Sequence, residues 1–277
     1  LTDNLIFKTA WASTKAKPDF ATSLLPSTTI NPSNNTDPSL GTLGTVTIRN
    51  PQLKPWGADN YDGRIEYYLK QGYVAVGYYR KFITDFIVSR TELLETPAEA
   101  ASVGLDSDYV GWAAATSFNS GKAIISGWEF ETRHSLDPLL PQWARGFNLR
   151  GSLNLADPDG QRGGWGSMNR QKVSVWLNYQ AAKLRLGFGW NFEGRTDGAL
   201  TTIGGEAGQT YVEERSLFDA TAEYRLTRRL SLFASGTNLF NAGRITARES
   251  ARLPHWARLQ QASAFGANYT LGAKASF

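Results

Sequence analysis

The last ten residues of the chain, N-Y-T-L-G-A-K-A-S-F (268–277), alternate apolar and polar side chains without interruption. Because successive side chains of a β-strand point to opposite faces, a period of two indicates a strand with one apolar and one polar face. Most domains end in a frayed polar tail, whereas this chain is expected to end on a strand. The apolar face would carry Tyr269, Leu271, Ala273, Ala275 and the terminal Phe277, and the polar face Asn268, Thr270, Lys274 and Ser276.

The same alternation recurs along the chain, for example in F-N-L-R-G-S-L-N-L (147–155) and L-R-L-G-F-G-W-N-F (184–192). No apolar stripe with a helical period extends over three turns. The pattern therefore predicts an all-β protein. Its ten strands are expected at roughly 4–14, 60–70, 73–89, 116–136, 146–156, 170–179, 183–195, 216–226, 230–239 and 267–277.

The connections between these strands alternate in length. Keeping that alternation requires 116–136 to be one strand, kinked or bulged at Gly121, rather than a hairpin. Long loops at one end and short turns at the other are typical of an antiparallel transmembrane β-barrel. The short connections fall at 71–72, 137–145, 180–182 and 227–229, and the long ones at 15–59, 90–115, 157–169, 196–215 and 240–266.

A soluble β-sandwich also has alternating strands, and charged side chains could face solvent in either fold. The aromatic residues favour the barrel, because Trp128, Phe188 and Trp190 lie on apolar faces, where a barrel presents aromatic girdles to lipid. The composition is compatible with this, since aromatic residues make up 12% of the 277 residues. A mean hydropathy of −0.35 is also compatible with a barrel, which crosses the membrane on alternating strands rather than apolar helices.

Composition excludes several functional classes. The chain has no cysteine, so disulfides and thiolate chemistry are impossible. The net charge of +4 is spread along the chain with no run of five like charges, so a nucleic-acid partner is not indicated.

Four stretches, in order, resemble segments of the TonB-dependent outer-membrane receptors. N-P-Q-L-K-P-W-G-A-D-N-Y-D-G-R-I-E-Y-Y-L (50–69) resembles the segment that precedes a strand in that family, and S-F-N-S-G-K-A-I-I-S-G-W-E-F-E (117–131) resembles one of its strands. L-F-D-A-T-A-E-Y-R-L-T-R-R-L-S-L-F-A-S-G-T-N-L-F-N (217–241) is similar to a late hairpin, and F-G-A-N-Y-T-L-G-A-K-A-S-F (265–277) to the closing strand.

This resemblance implies a 22-stranded barrel around an N-terminal plug domain. Residues 1–277 would be the C-terminal portion of that barrel, about its last ten strands, with the plug absent and the barrel open. The outer edge of the last strand would then be unpaired, or paired in a non-native way. Tyr269, Leu271 and Phe277 resemble the signal that the barrel-assembly machinery reads.

The function that the resemblance implies is TonB-energised uptake of a scarce ligand across the bacterial outer membrane. The ligand would be a siderophore, cobalamin, a glycan or a metal chelate. The expected partners are the TonB complex, acting through the missing plug, together with outer-membrane lipid, the barrel-assembly machinery and this small molecule. No cofactor and no nucleic acid are implied.

Ligand contacts are expected in the long loops, which a rigid scaffold presents at one end. Trp165, Tyr211, His255 and Trp256 are the candidates, because aromatic rings stack on sugars, chelates and corrin-like rings. The alternative is that these side chains pack the loops together.

No catalytic or metal site is predicted. Glu129 and Glu131 share one strand face and are interpreted as charges that line the lumen, because no acid–base partner is visible. The two histidines, His134 and His255, do not form a metal-ligand pattern. Two alternatives remain open: a ten-stranded outer-membrane protease of the omptin type, in which His255 would be the loop histidine, and a soluble β-rich binding protein.

Overall fold

The computed structural model describes residues 3–19, 27–33, 42–159, 168–203 and 206–276. Strands dominate this part of the chain, and the longest helix described is α1, Pro97–Ser102. None of the described helices has the length and hydrophobicity that a bilayer-crossing helix requires. The strands are β1 Leu5–Ala16, β2 Thr28–Pro32, β3 Gly44–Ile48, β4 Trp56–Leu69, β5 Gly72–Leu93, β6 Ala113–Ser135, β7 Phe147–Asp159, β8 Gln171–Ala181, β9 Leu184–Glu193, β10 Thr196–Ile203, β11 Glu206–Val212, β12 Arg215–Arg225, β13 Leu230–Thr237, β14 Arg244–Ser250, β15 Leu259–Ser263 and β16 Asn268–Ala275.

The main sheet has the strand order β1-β4-β5-β6-β7-β8-β9-β12-β13-β16. These are the ten strands predicted from the alternating pattern, in chain order, so the barrel architecture is confirmed. β6 is a single strand, and Gly121 within it has a φ of +26°. The irregularity predicted at Gly121 is therefore present, and the hairpin reading is excluded.

The barrel is not closed in this chain. β1 and β16 occupy the two ends of the strand order, and within the described residues β16 pairs only with β13. The expectation of an unpaired outer edge on the last strand is therefore confirmed. A full barrel would need further strands between these two edges, because only closure removes the exposed hydrogen-bonding groups of an edge.

Strand register assigns side chains to two faces of this sheet. Directly paired residues share a face, as do Leu177 and Phe188 on one side and Trp176 and Gly189 on the other. The first side is the apolar face, whose large side chains are exposed: Phe188 is 45% and Leu271 is 82% exposed. An exposed apolar surface of this kind is what lipid-facing strands require. The apolar face also carries Ile65, Trp128, Tyr224, Leu232 and Tyr269.

The opposite side is the polar face, which carries most of the charges of the strands. Its members include Lys8, Arg64, Glu66, Glu131, Arg150, Arg185, Glu223 and Lys274.

Three segments predicted as long loops contain further strands, which corrects that part of the prediction. β10 and β11 come from the connection 196–215, and β14 and β15 from the connection 240–266. Together they form a second, four-stranded sheet, the loop sheet, in the order β10-β11-β14-β15. The pairing of β11 with β14 joins two different connections, for example Thr210 with Arg248. Such a long-range pair leaves no local pattern in the sequence.

The connection 15–59 also contains structure, since β2 and β3 form an antiparallel pair. β3 lies parallel to the start of β6, and Val46 in β3 is fully buried. Nearby in the chain, α1 begins after Thr96, whose side chain accepts a hydrogen bond from the Glu99 backbone N–H. Leu94, Ala100 and Ala114 form a small apolar core with Ile48, Val103, Leu105 and Tyr109.

Candidate functional site

Glu66 is the centre of an ion network on the polar face. It is only 4% exposed and is the buried charged residue of the described core. Lys8 Nζ donates to both carboxylate oxygens of Glu66 at 2.8 Å. Arg64 Nε and the Tyr68 hydroxyl each donate at 2.8 Å as well. A buried carboxylate is stable only with such partners, and these partners tie β1 to β4.

Glu131 continues the network onto β6. It accepts from Arg64 Nη2 at 2.8 Å and also from the Tyr73 hydroxyl. Glu129, two residues earlier, instead accepts from Asn154 Nδ2 at 3.1 Å. The two carboxylates predicted to line the lumen therefore engage different partners, in an arrangement that braces neighbouring strands. Among the described residues, no group of three His, Asp or Glu side chains could hold a metal ion.

Further along the sheet, the polar face lines a cleft of about 650 Å³. Lys274 Nζ donates to Glu223 at 3.2 Å on its wall. The indole of Trp176 packs closely over Gly189. A Cβ added at Gly189 would lie only 2.5 Å from the ring. Positive charge dominates the charged lining, which consists of Arg133, Arg150, Arg185 and Lys274 against Glu223.

A second ion cluster supports the loop sheet. Arg195 follows β9, and its guanidinium carbon lies 3.8 Å from the ring centroid of Tyr211. Arg195 Nε donates to Asp197 at 3.0 Å, and Nη1 donates to Glu249 at 3.3 Å. Hydrogen bonding to Glu249 raises the pKa of Arg195, with Asp197 contributing in the same direction. These contacts join the start of β10 to β14.

The predicted ligand-binding residues occupy different environments. Tyr211 is buried, at 8% exposure, beneath Arg195. His255 and Trp256 lie in the 3-10 turn His255–Ala257 between β14 and β15, where the Trp256 side chain is 85% exposed. Among the described residues, no hydrogen bond or ring contact joins Tyr211 to that turn. Trp165 lies outside the described residues.

Two of the three residues of the predicted assembly signal, Tyr269 and Leu271, lie on β16. Tyr269 and Leu271 are on its apolar face, at 71% and 82% exposure, and Phe277 lies outside the described residues. The sequence reasoning missed the contacts of Lys8, Tyr73 and Arg195, whose partners lie on other strands. Only the position of Lys8 and Tyr73 on the polar faces of predicted strands, and the positive charge of Arg195, could have pointed to these contacts.

An antiparallel sheet with one exposed apolar face and a charged opposite face is typical of the class of membrane β-barrels. The sequence profile of the family described as "TonB dependent receptor-like, beta-barrel" matches residues 1–239. The chain therefore belongs to the TonB-dependent receptor β-barrel family, as the four sequence stretches predicted. Proteins of this family are receptors and transporters rather than enzymes, so the omptin-type protease is not supported. A search of the curated proteins finds no match.

Solved structures share the fold. A single-site mutant of the ferric enterobactin receptor PfeA from Pseudomonas aeruginosa matches 100% of this chain with a TM-score of 0.69 and 20% identity. The siderophore receptor PirA from Acinetobacter baumannii matches 100% of this chain with a TM-score of 0.68 and 16% identity. The copper transporter OprC matches 100% of this chain with a TM-score of 0.62 and 15% identity. The chain spans 39%, 40% and 38% of those three proteins.

Proposed function

We propose that this chain is the C-terminal part of the barrel of an outer-membrane receptor that takes up a scarce ligand with energy supplied by the TonB complex. The single observation that carries the proposal is the two-faced sheet. Its apolar face suits lipid, while its opposite face bears the charges that suit an aqueous lumen. In such a receptor, the plug domain and the remaining strands belong to the rest of the protein.

The ligand that fits best is an anionic metal chelate. The segment 240–266 carries four arginines, Arg244, Arg248, Arg252 and Arg258, against one acidic residue, Glu249. The positive charge of this one segment would attract an anionic ligand that comes close to it. The structural neighbours described as ferric enterobactin and siderophore receptors support this choice over a neutral glycan.

Trp256 is the aromatic residue best placed to contact the ligand. Its side chain is 85% exposed and belongs to the same arginine-rich segment. An exposed indole offers a face on which a chelate ring can stack. Tyr211, whose ring is covered by Arg195, is proposed to support the loop sheet instead.

The experiment is an uptake assay with the natural-length receptor in a bacterium that lacks its own chelate receptors. We expect accumulation of a radiolabelled ferric chelate that disappears when the TonB gene is deleted. Trp256→Ala should weaken binding, and Trp256→Phe, which keeps an aromatic face, should retain most of it. If the purified protein is folded and monodisperse without detergent, or if uptake persists without TonB, the proposal is wrong.

A further inference from the structure

The connection between β6 and β7, residues 136–146, presents two large apolar side chains to the surroundings. It consists of two 3-10 turns, Asp137–Leu139 and Gln142–Ala144. Leu139 is 81% and Trp143 is 84% exposed. A loop that keeps two such side chains in water forgoes the hydrophobic stabilisation that their burial would give. Their exposure therefore points to a partner surface.

The backbone of this connection is fixed rather than loose. The Asp137 carboxylate accepts a hydrogen bond from the Gly146 N–H at 2.6 Å, which closes the loop on itself. The Leu136 N–H donates to the Phe147 carbonyl at 2.8 Å. Gly146 has a φ of +118°, and a Cβ there would lie 2.3 Å from the Gln180 carbonyl oxygen. Leu139 and Trp143 are therefore held exposed by a backbone whose conformation is fixed by hydrogen bonds and close packing.

The connection lies beside the other short turns of the sheet. Hydrogen bonds link these turns in sequence: the Ser135 N–H donates to the Gln71 carbonyl, and the Gln180 N–H donates to the Gly146 carbonyl. The Arg225 N–H donates to the Lys183 carbonyl in the same way. We call this row, residues 70–71, 136–146, 182–183 and 226–229, the short-turn rim.

The short-turn rim is basic. Its only acidic residue is Asp137, which is engaged by the Gly146 N–H. Its basic side chains are all exposed: Lys70, Arg145, Lys183, Arg228 and Arg229. Basic groups are attracted to the negative surface potential of an anionic lipid leaflet.

The rim is continuous with the apolar face. Phe147 follows the connection directly, and its ring lies 4.6 Å from that of Tyr179 on the adjacent strand. Both residues pair within the apolar face, as the register of β7 and β8 requires. Leu139 and Trp143 thus extend an apolar, aromatic surface past the end of the strands, with basic groups around it.

We propose that the connection 136–146 is an interfacial anchor that inserts Leu139 and Trp143 into the headgroup region of an anionic phospholipid leaflet. The inference rests on the proposed function, because it requires the apolar face to contact lipid. Tryptophan prefers the membrane–water interface, where its apolar ring is buried and its N–H stays near polar groups. Arg145 and the other basic residues of the rim bind the lipid phosphates.

The test uses single cysteines carrying a nitroxide label, which the chain allows because it contains no cysteine. Leu139→Cys and Trp143→Cys are made in a natural-length receptor without other cysteines and reconstituted in phosphatidylglycerol vesicles. Phe188→Cys, on the apolar face, is the control for lipid contact, and Glu214→Cys, exposed between β11 and β12, is the control for water. Relative collision rates with oxygen and with a water-soluble nickel chelate give the depth of each label.

We expect the labels at 139 and 143 to lie about 5–10 Å deep in the interface, at the boundary between headgroups and acyl chains. They should move toward water when phosphatidylglycerol is replaced by phosphatidylcholine, or when Arg145 and Lys183 are changed to glutamine. Nickel accessibility equal to that of the Glu214→Cys label, with the Phe188→Cys label in lipid, would overturn the anchor but not the barrel. A water-accessible Phe188→Cys label would overturn the proposed function. Labels that are water-accessible in vesicles and shielded only in intact cells would indicate a protein partner and refute the lipid proposal.

Discussion

The side-chain amide of Asn119 should be a main stabilising contact between two of the sequence stretches that resemble the receptor family. Asn119 lies in S-F-N-S-G-K-A, and Lys54 lies in N-P-Q-L-K-P. Asn119 Oδ1 accepts from the Lys54 N–H at 2.8 Å, and Nδ2 donates to the Lys54 carbonyl at 2.9 Å. Nδ2 also donates to the Asp85 carbonyl at 2.7 Å. One amide thus satisfies three backbone groups.

These backbone groups need a side-chain partner because Lys54 precedes β4 and Asp85 lies at an irregular position of β5. Pro55 follows Lys54 and cannot donate a hydrogen bond. Asp85 has a φ of +53°, a left-handed conformation that interrupts the regular geometry of β5. At about 1 kcal/mol for each hydrogen bond, Asn119→Ala should lower the free energy of unfolding by about 2–3 kcal/mol, the lower value reflecting partial access to water.

Asn119→Asp makes a sharper test because it keeps the size of the side chain. The carboxylate can still accept from the Lys54 N–H, but its second oxygen would face two carbonyl oxygens. We therefore expect a loss at neutral pH at least as large as that of Asn119→Ala, and partial recovery near pH 4, where a carboxyl group begins to protonate and can donate.

The measurement is urea unfolding of the receptor in lipid vesicles, followed by circular dichroism. Ser117→Ala is the matched control, because it removes a single exposed contact, the 3.1 Å pair of the Ser117 and Ser89 hydroxyls. This control should change the free energy of unfolding by less than about 0.5 kcal/mol. If Asn119→Ala behaves like the control, Asn119 does not hold the two stretches together.

Three further changes test other parts of the structure. Gly189→Ala should destabilise the protein by about 1–3 kcal/mol, since the added Cβ would lie 2.5 Å from the Trp176 ring. Gly63→Ala is the control, because a Cβ at that position has no atom within 4 Å. It should leave the free energy of unfolding unchanged in the same urea titration. Arg195→Gln should speed hydrogen exchange in the loop sheet, because the ion pair with Glu249 that joins its two connections is lost. Unchanged exchange would contradict this role. Deletion of Phe277 from the natural-length receptor should reduce the amount recovered in the outer membrane, and normal recovery would count against the assembly signal.

The ten barrel strands could be predicted because their signal is local. A strand with one face toward lipid and the other toward water needs apolar and polar residues in alternation, and this alternation is visible in its own sequence. The parity of the connections then decided the ambiguous segment, and β6 is indeed one strand from Ala113 to Ser135. The same reasoning could not find the loop sheet. β11 and β14 are short, and their pairing depends on residues from two separate connections, such as Tyr211 and Ala247.

The candidate ligand residues show where a sequence pattern reaches its limit. In the sequence, Tyr211 and Trp256 are both aromatic side chains in predicted long loops, and nothing local distinguishes them. In the fold, Arg195 covers the Tyr211 ring, so a ligand could stack there only by displacing a cation held by two carboxylates. Trp256 has no such cover and is 85% exposed. Trp256 is the stronger candidate, because its ring is exposed and no side chain has to be displaced before a ligand can stack on it. Tyr211 is better explained as support for the loop sheet.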